Sequence, residues 1–182
     1  MRIIAGSAKG TKLGPVPHGT RPVSDRAREG VFSSLGPAVI DAKVLDLYAG
    51  TGAMGIEALS RGADHAKFVD RSASATRAID ANLDATKLAD AASVTRSEVP
   101  AFLRNTPQAA DLVFLDPPYA LEGGELEGVL DALSKGWLAS DRAWTVVLTR
   151  PIKSYTPVIP IDWRPAKRLV YGDTLVILYR EV

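Results

Sequence analysis

The chain of 182 residues is 46% hydrophobic and 24% charged, a composition that is ordinary for one globular domain. It contains no cysteine, which excludes disulfides, thiolate metal sites and cysteine nucleophiles. It has no apolar run of the roughly 18 residues that a membrane span needs, and its first residues lack a signal peptide's apolar core, so a cytoplasmic protein is expected.

The net charge of +1 hides an uneven distribution. Residues 1–30 carry six basic and two acidic side chains, whereas the other 152 residues sum to −3. A basic segment on a mildly acidic body favours an anionic partner, although a solvated terminus would have the same composition. The basic residues of this segment are Arg2, Lys9, Lys12, Arg21, Arg26 and Arg28.

The first predicted elements lie in this basic segment. Short apolar runs separated by Gly, Lys and Pro predict a hairpin in which RIIAG pairs with TKLGPV. A hairpin of this size is marginal alone, so residues 1–19 are interpreted as a small extension of a domain at 20–182. Ser24 is a suitable N-cap for a helix over residues 25–35, which has apolar residues on one face.

From Lys43 onward, predicted strands and helices alternate. Strands are predicted at 43–49, 65–70, 92–97, 110–116, 143–149, 166–172 and 173–182. Helices are predicted at 53–62, 72–88, 98–105 and 124–138. This order predicts an α/β fold with a parallel sheet and helices on both faces, except that the short turn between the last two strands makes them antiparallel. Ligands of such sheets bind beyond the carboxyl ends of the strands.

The segment DLYAGTGAMG follows the first of these strands and opens a helix. Gly50, Gly52 and Gly55 fit G-x-G-x-x-G, with Asp70 about twenty residues on, as in dinucleotide-binding turns; a tight turn without a ligand is the alternative. Asp46 would repel a pyrophosphate but suits an ammonium group, which favours S-adenosylmethionine, with Asp70 binding the ribose or capping the next helix. The predicted cofactor residues are Asp46, Tyr48, Ala49, Gly50, Thr51, Gly52, Asp70 and Arg71, together with Ser97 and Glu98, which would border the adenine or cap a helix.

The stretch LVFLDPPY ends a predicted buried strand on a carboxylate, two prolines and an aromatic ring. Asp116, Pro117, Pro118 and Tyr119 match the D/N/S-P-P-Y/F/W pattern of enzymes that methylate amino groups of bases. Asp116 and the Pro117 carbonyl would accept the two hydrogens of an exocyclic amine and aim its lone pair at a methyl donor. Tyr119 would stack on the base. A proline-terminated strand followed by a surface tyrosine is the alternative.

Four stretches together resemble the RsmD family over nearly the whole chain: RIIAGSAKGTKL, TRPVSDRAREGVFSSL, VLDLYAGTGAMGIEALSRGA and VFLDPPY. The resemblance implies a Rossmann-like, seven-stranded class I methyltransferase fold with an N-terminal hairpin. It also implies methylation of guanine N2 in a hairpin loop of 16S rRNA, on an assembled or partly assembled small ribosomal subunit. The chain departs from the family at SVTRSEV, where an aspartate is expected after the third strand.

Carried onto this sequence, the resemblance assigns three groups of residues. It assigns Asp116, Pro117 and Tyr119 to the target amine, and Asp46, Gly50, Gly52 and Asp70 to the cofactor. It assigns Arg21, Arg26 and Arg28 to the neighbourhood of cofactor and RNA. For Arg21 and Arg28, pairing with Glu29 or Asp25 is the alternative.

Two further basic groups are RNA candidates. Arg2, Lys9 and Lys12 on the predicted hairpin suit phosphate contacts that position RNA without reading its sequence. The segment from Trp163 to Arg168 combines basic and aromatic residues, but packing is the more usual role of such a tryptophan. The acidic loop at Glu122, Glu125 and Glu127 is not expected to contact phosphate.

Three other functions fit parts of the pattern. A DNA adenine-N6 or cytosine-N4 methyltransferase would share the tetrad at residues 116–119, but 182 residues leave no room for a DNA-recognition domain. An NAD-dependent reductase would need a Tyr–Lys or His acid–base pair, and neither His18 nor His65 lies at an expected strand end. A non-catalytic RNA-binding module would have the same fold with a degenerate active site. No metal site is predicted, and a monomer is expected.

Overall fold

The computed structural model describes residues 1–121 and 123–182, and within these ranges seven strands form one sheet. The strands are β1 (Lys43–Leu47), β2 (His65–Asp70), β3 (Ala92–Arg96), β4 (Leu112–Leu115), β5 (Thr145–Pro151), β6 (Trp163–Tyr171) and β7 (Thr174–Glu181). The helices are α1 (Asp25–Leu35), α2 (Ala53–Ser60), α3 (Ala73–Thr86), α4 (Val99–Phe102) and α5 (Gly123–Ser134). Short 3₁₀ turns lie at Gly36–Val39 and Ala89–Ala91. Each strand and helix predicted from residue 25 onward is present, with shifts at the ends.

The strand order is β3-β2-β1-β4-β5-β7-β6. Strands β1 to β5 pair in parallel, and β7 is antiparallel to both β5 and β6, which confirms the predicted pairing of the last two strands. β7 is inserted inside β6 because it carries a continuous buried run, whereas β6 is mostly exposed and suits the edge. A bulge between Pro165 and Lys167 fits that edge position, since proline cannot donate to a ladder.

The core has two parts, one on each face of the sheet. Consecutive residues of β1, Val44 and Leu45, point to opposite faces, as a strand requires. One face is covered by α1, α2, α3 and the N-terminal segment (residues 1–14), and the other by α4 and α5. None of the helices in the described ranges is long and apolar enough to span a bilayer.

The first 14 residues lie on α2. The predicted hairpin is reduced to one antiparallel bridge between Arg2 and Lys12, because residues 5–10 form turns instead. The N–H groups of Ile4 and Ala5 donate to the Glu57 carboxylate at 2.9 and 3.1 Å. The side chains that this segment adds to the core are Ile3, Ala8 and Leu13. The division of the chain after residue 19 stays a prediction.

Candidate active site

A cleft of about 530 Å³ opens at the carboxyl ends of β1, β2 and β4, a size typical of small-molecule sites. The predicted residues that line it are Asp46, Tyr48, Ala49, Gly50, Thr51, Asp70, Arg71, Glu98, Asp116, Pro117, Pro118 and Tyr119. Gly52 and Ser97 do not line it: Gly52 lies against Ile79, and the Ser97 hydroxyl donates to the Glu98 carbonyl. Glu98 occupies the N-cap position of α4 without a side-chain capping bond, and pairs with Arg71 at 3.8 Å.

Asp46 places a buried carboxylate at the floor of the cleft. Its side chain accepts the Gly55 N–H at 3.0 Å and is only 3% exposed. A Cβ on Gly55 would lie 2.4 Å from a Phe68 ring carbon, so only glycine lets α2 approach this closely. Burial, followed by the nearby charges of Asp116 and Asp70, raises the pKa of Asp46 well above its usual range, against the opposing effect of the Gly55 bond. A cationic ligand group would stabilise this carboxylate.

Asp70 is held by the backbone around it. It accepts the N–H of Gly50 at 3.0 Å and that of Ser72 at 2.9 Å, one on each carboxylate oxygen. Gly50 and Gly52 have φ angles of 59° and 77°, a region that glycine adopts without strain. Ser72 caps α3, so the prediction that Asp70 could be that cap is wrong. Each Asp70 oxygen retains acceptor capacity for a hydroxyl group.

The tetrad after β4 presents two acceptors to the cleft. Within residues 1–121 and 123–182, no donor bonds to the Asp116 carboxylate or to the Pro117 carbonyl. The Pro118 carbonyl, by contrast, accepts the Leu121 N–H at 2.9 Å. Burial raises the pKa of Asp116 to about 7. Two neighbouring acceptors suit a planar amino group, which offers two N–H donors.

The segment that follows the tetrad is braced from β5 and from the loop after it. Arg150 is 3% exposed and donates to the Leu121 carbonyl at 3.2 Å, and the Tyr155 hydroxyl donates to the Gly123 carbonyl at 3.1 Å. Glu125 lines the cleft, whereas Glu122 lies outside the described residues. These contacts hold the chain that carries Tyr119.

Tyr119 stands at the rim with its side chain 46% exposed. The guanidinium carbon of Arg21 lies 5.6 Å from the Tyr119 ring centroid, and Arg21 pairs with Asp173 of the β6–β7 turn at 2.8 Å. The partner of Arg21 is therefore neither Asp25 nor Glu29. Arg21 belongs to a connector at residues 15–23, and five more of its residues line the cleft, which no local pattern in the sequence indicated: His18, Gly19, Thr20, Pro22 and Val23.

Arg28 is not available to RNA, and the prediction of an RNA contact there is wrong. Its side chain is fully buried and donates to the Asp25 carboxylate at 3.1 Å and to the Arg2 carbonyl. Its Nε lies 3.6 Å from the buried Glu57 carboxylate. Burial lowers the pKa of Arg28, against the opposing charges of Glu57 and Asp25. The alternative, pairing with Asp25, is confirmed.

The other basic candidates are exposed. Among the predicted RNA contacts, these are Arg2, Lys9, Lys12, Arg21 and Arg26. Trp163 packs against Trp144 and Tyr179, with ring centroids 5.2 and 6.0 Å apart, which confirms a packing role. In the part of the chain that the structure describes, no three His, Asp or Glu side chains group as a metal site.

The comparisons with known proteins agree with this geometry. The family model described as Conserved hypothetical protein 95 matches residues 1–180. The chain is 36% identical to the ribosomal RNA small subunit methyltransferase D of Escherichia coli (strain K12), covering 99% of this chain and 89% of that protein. It is 31% identical to the protein of the same name from Haemophilus influenzae, covering 99% and 93%. The solved structure of yhhF from Escherichia coli matches with a TM-score of 0.88 at 35% identity, covering 100% of this chain and 97% of that one. The chain therefore belongs to the RsmD family and has its Rossmann-like class I methyltransferase fold.

Proposed function

We propose that the protein transfers a methyl group from S-adenosylmethionine to the exocyclic N2 amine of one guanine in a hairpin loop of 16S rRNA. Family membership makes the chain an S-adenosylmethionine-dependent rRNA methyltransferase, and guanine N2 is the finer part of the proposal. The observation that carries this part is the pair of acceptors, Asp116 and the Pro117 carbonyl, which have no donor among the described residues.

The cleft suits S-adenosylmethionine because it concentrates negative charge. Asp46 would hold the ammonium group and Asp70 the ribose hydroxyls, with the turn at 48–52 alongside. When bound, this cofactor supplies an electrophilic methyl group on a cationic sulfonium. Burial and the neighbouring carboxylates raise the pKa of Asp46, which supports a cationic binding partner for this side chain. A pyrophosphate would add repulsion, which argues against the reductase alternative.

The residues of the tetrad act on the target amine. Asp116 and the Pro117 carbonyl each accept one N–H hydrogen, which orients the nitrogen lone pair toward the cleft. When the nitrogen forms its bond to the methyl carbon, one proton must leave, and a carboxylate with a pKa of about 7 takes it up readily. The exposed face of Tyr119 stacks on the base, which contributes about 1–3 kcal/mol. The guanine must be extruded from its stack to reach this position.

The exposed basic residues would bind the RNA backbone. Arg2, Lys9 and Lys12 make residues 1–19 an RNA-anchoring extension, and Arg21 and Arg26 continue the basic surface toward the cleft. These residues position the RNA without reading bases. The proposal includes a monomer that acts in the cytoplasm on 16S rRNA within the small ribosomal subunit.

The direct test uses small ribosomal subunits from cells that lack this protein. With methyl-labelled cofactor, label should enter 16S rRNA, and mass mapping should locate it as N2-methylguanosine at one position. Duplex DNA, offered in parallel, should remain unlabelled. Label on adenine or cytosine of the DNA, or on another atom of the RNA, would replace the proposal with a different amine substrate.

The pKa of Asp116 provides a test that needs no RNA. In the free protein the Asp116 carboxyl group should titrate with a pKa of about 7. S-adenosylmethionine should lower this pKa, because a nearby positive charge favours the ionised form, and neutral adenosylhomocysteine should lower it less. Carbon-13 NMR of labelled aspartate measures both shifts. Equal shifts would mean that the sulfonium lies far from Asp116.

The same pKa predicts the direction of the pH dependence. Only the ionised carboxylate can both orient the amine and take its proton, so methyl transfer should slow as the pH falls through the pKa of the complex. Since the cofactor lowers that pKa, the acid limb should lie below pH 7.

A further inference from the structure

Helix α3 buries one amide side chain in the face that packs on the core. Asn82 is only 2% exposed, and its neighbours on that face include Ile79, Leu83 and Thr86. A buried amide costs free energy unless its hydrogen-bonding groups are paired. Both ends of Asn82 are paired, and both partners are backbone groups outside α3. The burial of this amide is therefore accounted for by the two hydrogen bonds through which it joins two backbone segments.

The first partner lies in the turn at residues 48–52, the cofactor turn. The Asn82 Nδ2 group donates to the Thr51 carbonyl at 2.9 Å. Thr51 stands between Gly50, whose N–H bonds to Asp70, and Gly52, the N-cap residue of α2. Both glycines have left-handed φ angles, and the Gly52 N–H donates to the Ala49 carbonyl at 2.8 Å within the turn, so the bond from Asn82 is added from outside it. Asn82 supplies the bond at Thr51.

The second partner lies where the N-terminal segment leaves α2. The Asn82 Oδ1 atom accepts the Gly14 N–H at 2.8 Å. The connector at 15–23 begins here and runs over the cofactor turn, where a Cβ on Gly50 would lie 3.0 Å from the Thr20 methyl group. The position of Gly14 therefore helps to decide where this wall of the cleft lies. One side chain joins both walls of the cofactor site.

We propose that Asn82 is a positioning residue for the cofactor, because it holds the Thr51 carbonyl and the start of the connector in one arrangement. The inference rests on the proposed function, since it takes the cleft to be the S-adenosylmethionine site. Asn82 itself does not line the cleft. It acts through the backbone, so its loss should affect cofactor affinity more than the rate of the bound complex.

Two substitutions separate the two bonds. Asn82→Leu removes both, whereas Asn82→Asp keeps an acceptor for Gly14 but replaces the donor to Thr51 with an oxygen. Thr86→Val is the matched control: it lies one turn further on the same buried face, and its hydroxyl bonds only to carbonyls of α3 itself. The control should lose stability without changing either wall of the cleft.

The measurements are the Kd for adenosylhomocysteine by calorimetry, the KM and kcat of methyl transfer, and hydrogen exchange over residues 1–14. We expect both Asn82 variants to bind roughly tenfold more weakly and to raise the KM for S-adenosylmethionine, with kcat at saturation nearly unchanged. Protection of residues 1–14 should fall in Asn82→Leu and persist in Asn82→Asp. Thr86→Val should bind as the wild type does.

Several outcomes would overturn the inference. A wild-type Kd in a folded Asn82 variant would leave the residue a purely structural role, as would equal weakening by Thr86→Val. If Asn82→Leu fails to fold, the affinity of Asn82→Asp decides. Failure of the wild-type protein to bind adenosylhomocysteine would reject the proposed function together with this inference, whereas a wild-type KM for S-adenosylmethionine in the Asn82 variants would reject this inference alone.

Discussion

Replacing Asp116 with alanine should lower kcat for methyl transfer by about 100-fold or more, while the affinity for adenosylhomocysteine changes by less than about twofold. The substitution removes one of the two acceptors that orient the amine, together with the group that takes its proton. Cofactor affinity should persist, because Asp46 and Asp70 supply the predicted contacts from other strands. Single-turnover transfer to small ribosomal subunits measures the first effect, and calorimetry the second.

Two further variants isolate the role of the carboxylate. Asp116→Asn keeps size and one acceptor oxygen but presents N–H donors to an amine that needs acceptors, so it should not restore activity. Glu125→Gln is a matched control, since Glu125 lines the same cleft but lies outside the tetrad, and its activity should stay near the wild-type value. Undiminished methylation by Asp116→Ala would reject the mechanism.

Replacing Glu57 with alanine should destabilise the protein by about 3–5 kcal/mol. Glu57 and Arg28 have fully buried side chains, and Glu57 also accepts from Arg61 at 2.8 Å and from the N–H groups of Ile4 and Ala5. Its removal leaves the buried Arg28 guanidinium without its buried counter-ion and two partly buried N–H groups without their acceptor. Urea denaturation followed by circular dichroism measures the change in the free energy of unfolding.

A second carboxylate provides the comparison. Asp25 also pairs with Arg28, at 3.1 Å, but its side chain is 60% exposed, so Asp25→Asn should cost less than about 1 kcal/mol. Combining Glu57→Leu with Arg28→Met should recover part of the loss, because no charge is then left buried. Equal effects of Glu57→Ala and Asp25→Asn would mean that burial does not decide the strength of these pairs.

The contacts of Glu57 with Ile4, Ala5, Arg28 and Arg61 also affect how the N-terminal segment would meet RNA. Because Glu57 holds the backbone of Ile4 and Ala5, the lysines of the N-terminal segment are carried on α2 rather than on a free arm. Phosphate contacts made by Lys9 and Lys12 would therefore stand in a defined position relative to the cleft. A rigid arrangement of this kind reduces the ordering entropy that binding must overcome.

Local patterns in the sequence were sufficient to predict the sheet architecture and the aspartates that lie together in the cleft. Alternating strands and helices specify a mainly parallel sheet, and parallel strands bring their carboxyl ends to one edge. Asp46, Asp70 and Asp116 therefore meet although they are far apart in the chain. The left-handed turn at Gly50 and Gly52 was also predictable, because glycine is the residue that adopts it without strain.

Only the tertiary structure decided which charges are free and which segments cover the site. Arg28 and Arg26 look alike in the sequence, but one is buried beside Glu57 and the other is exposed. Arg21 pairs with Asp173, which lies 152 residues further along the chain. Asn82 meets its partners only after α3 has packed. Such pairings depend on which faces come together in space, and the periodicity of a single element carries no information about its distant partner.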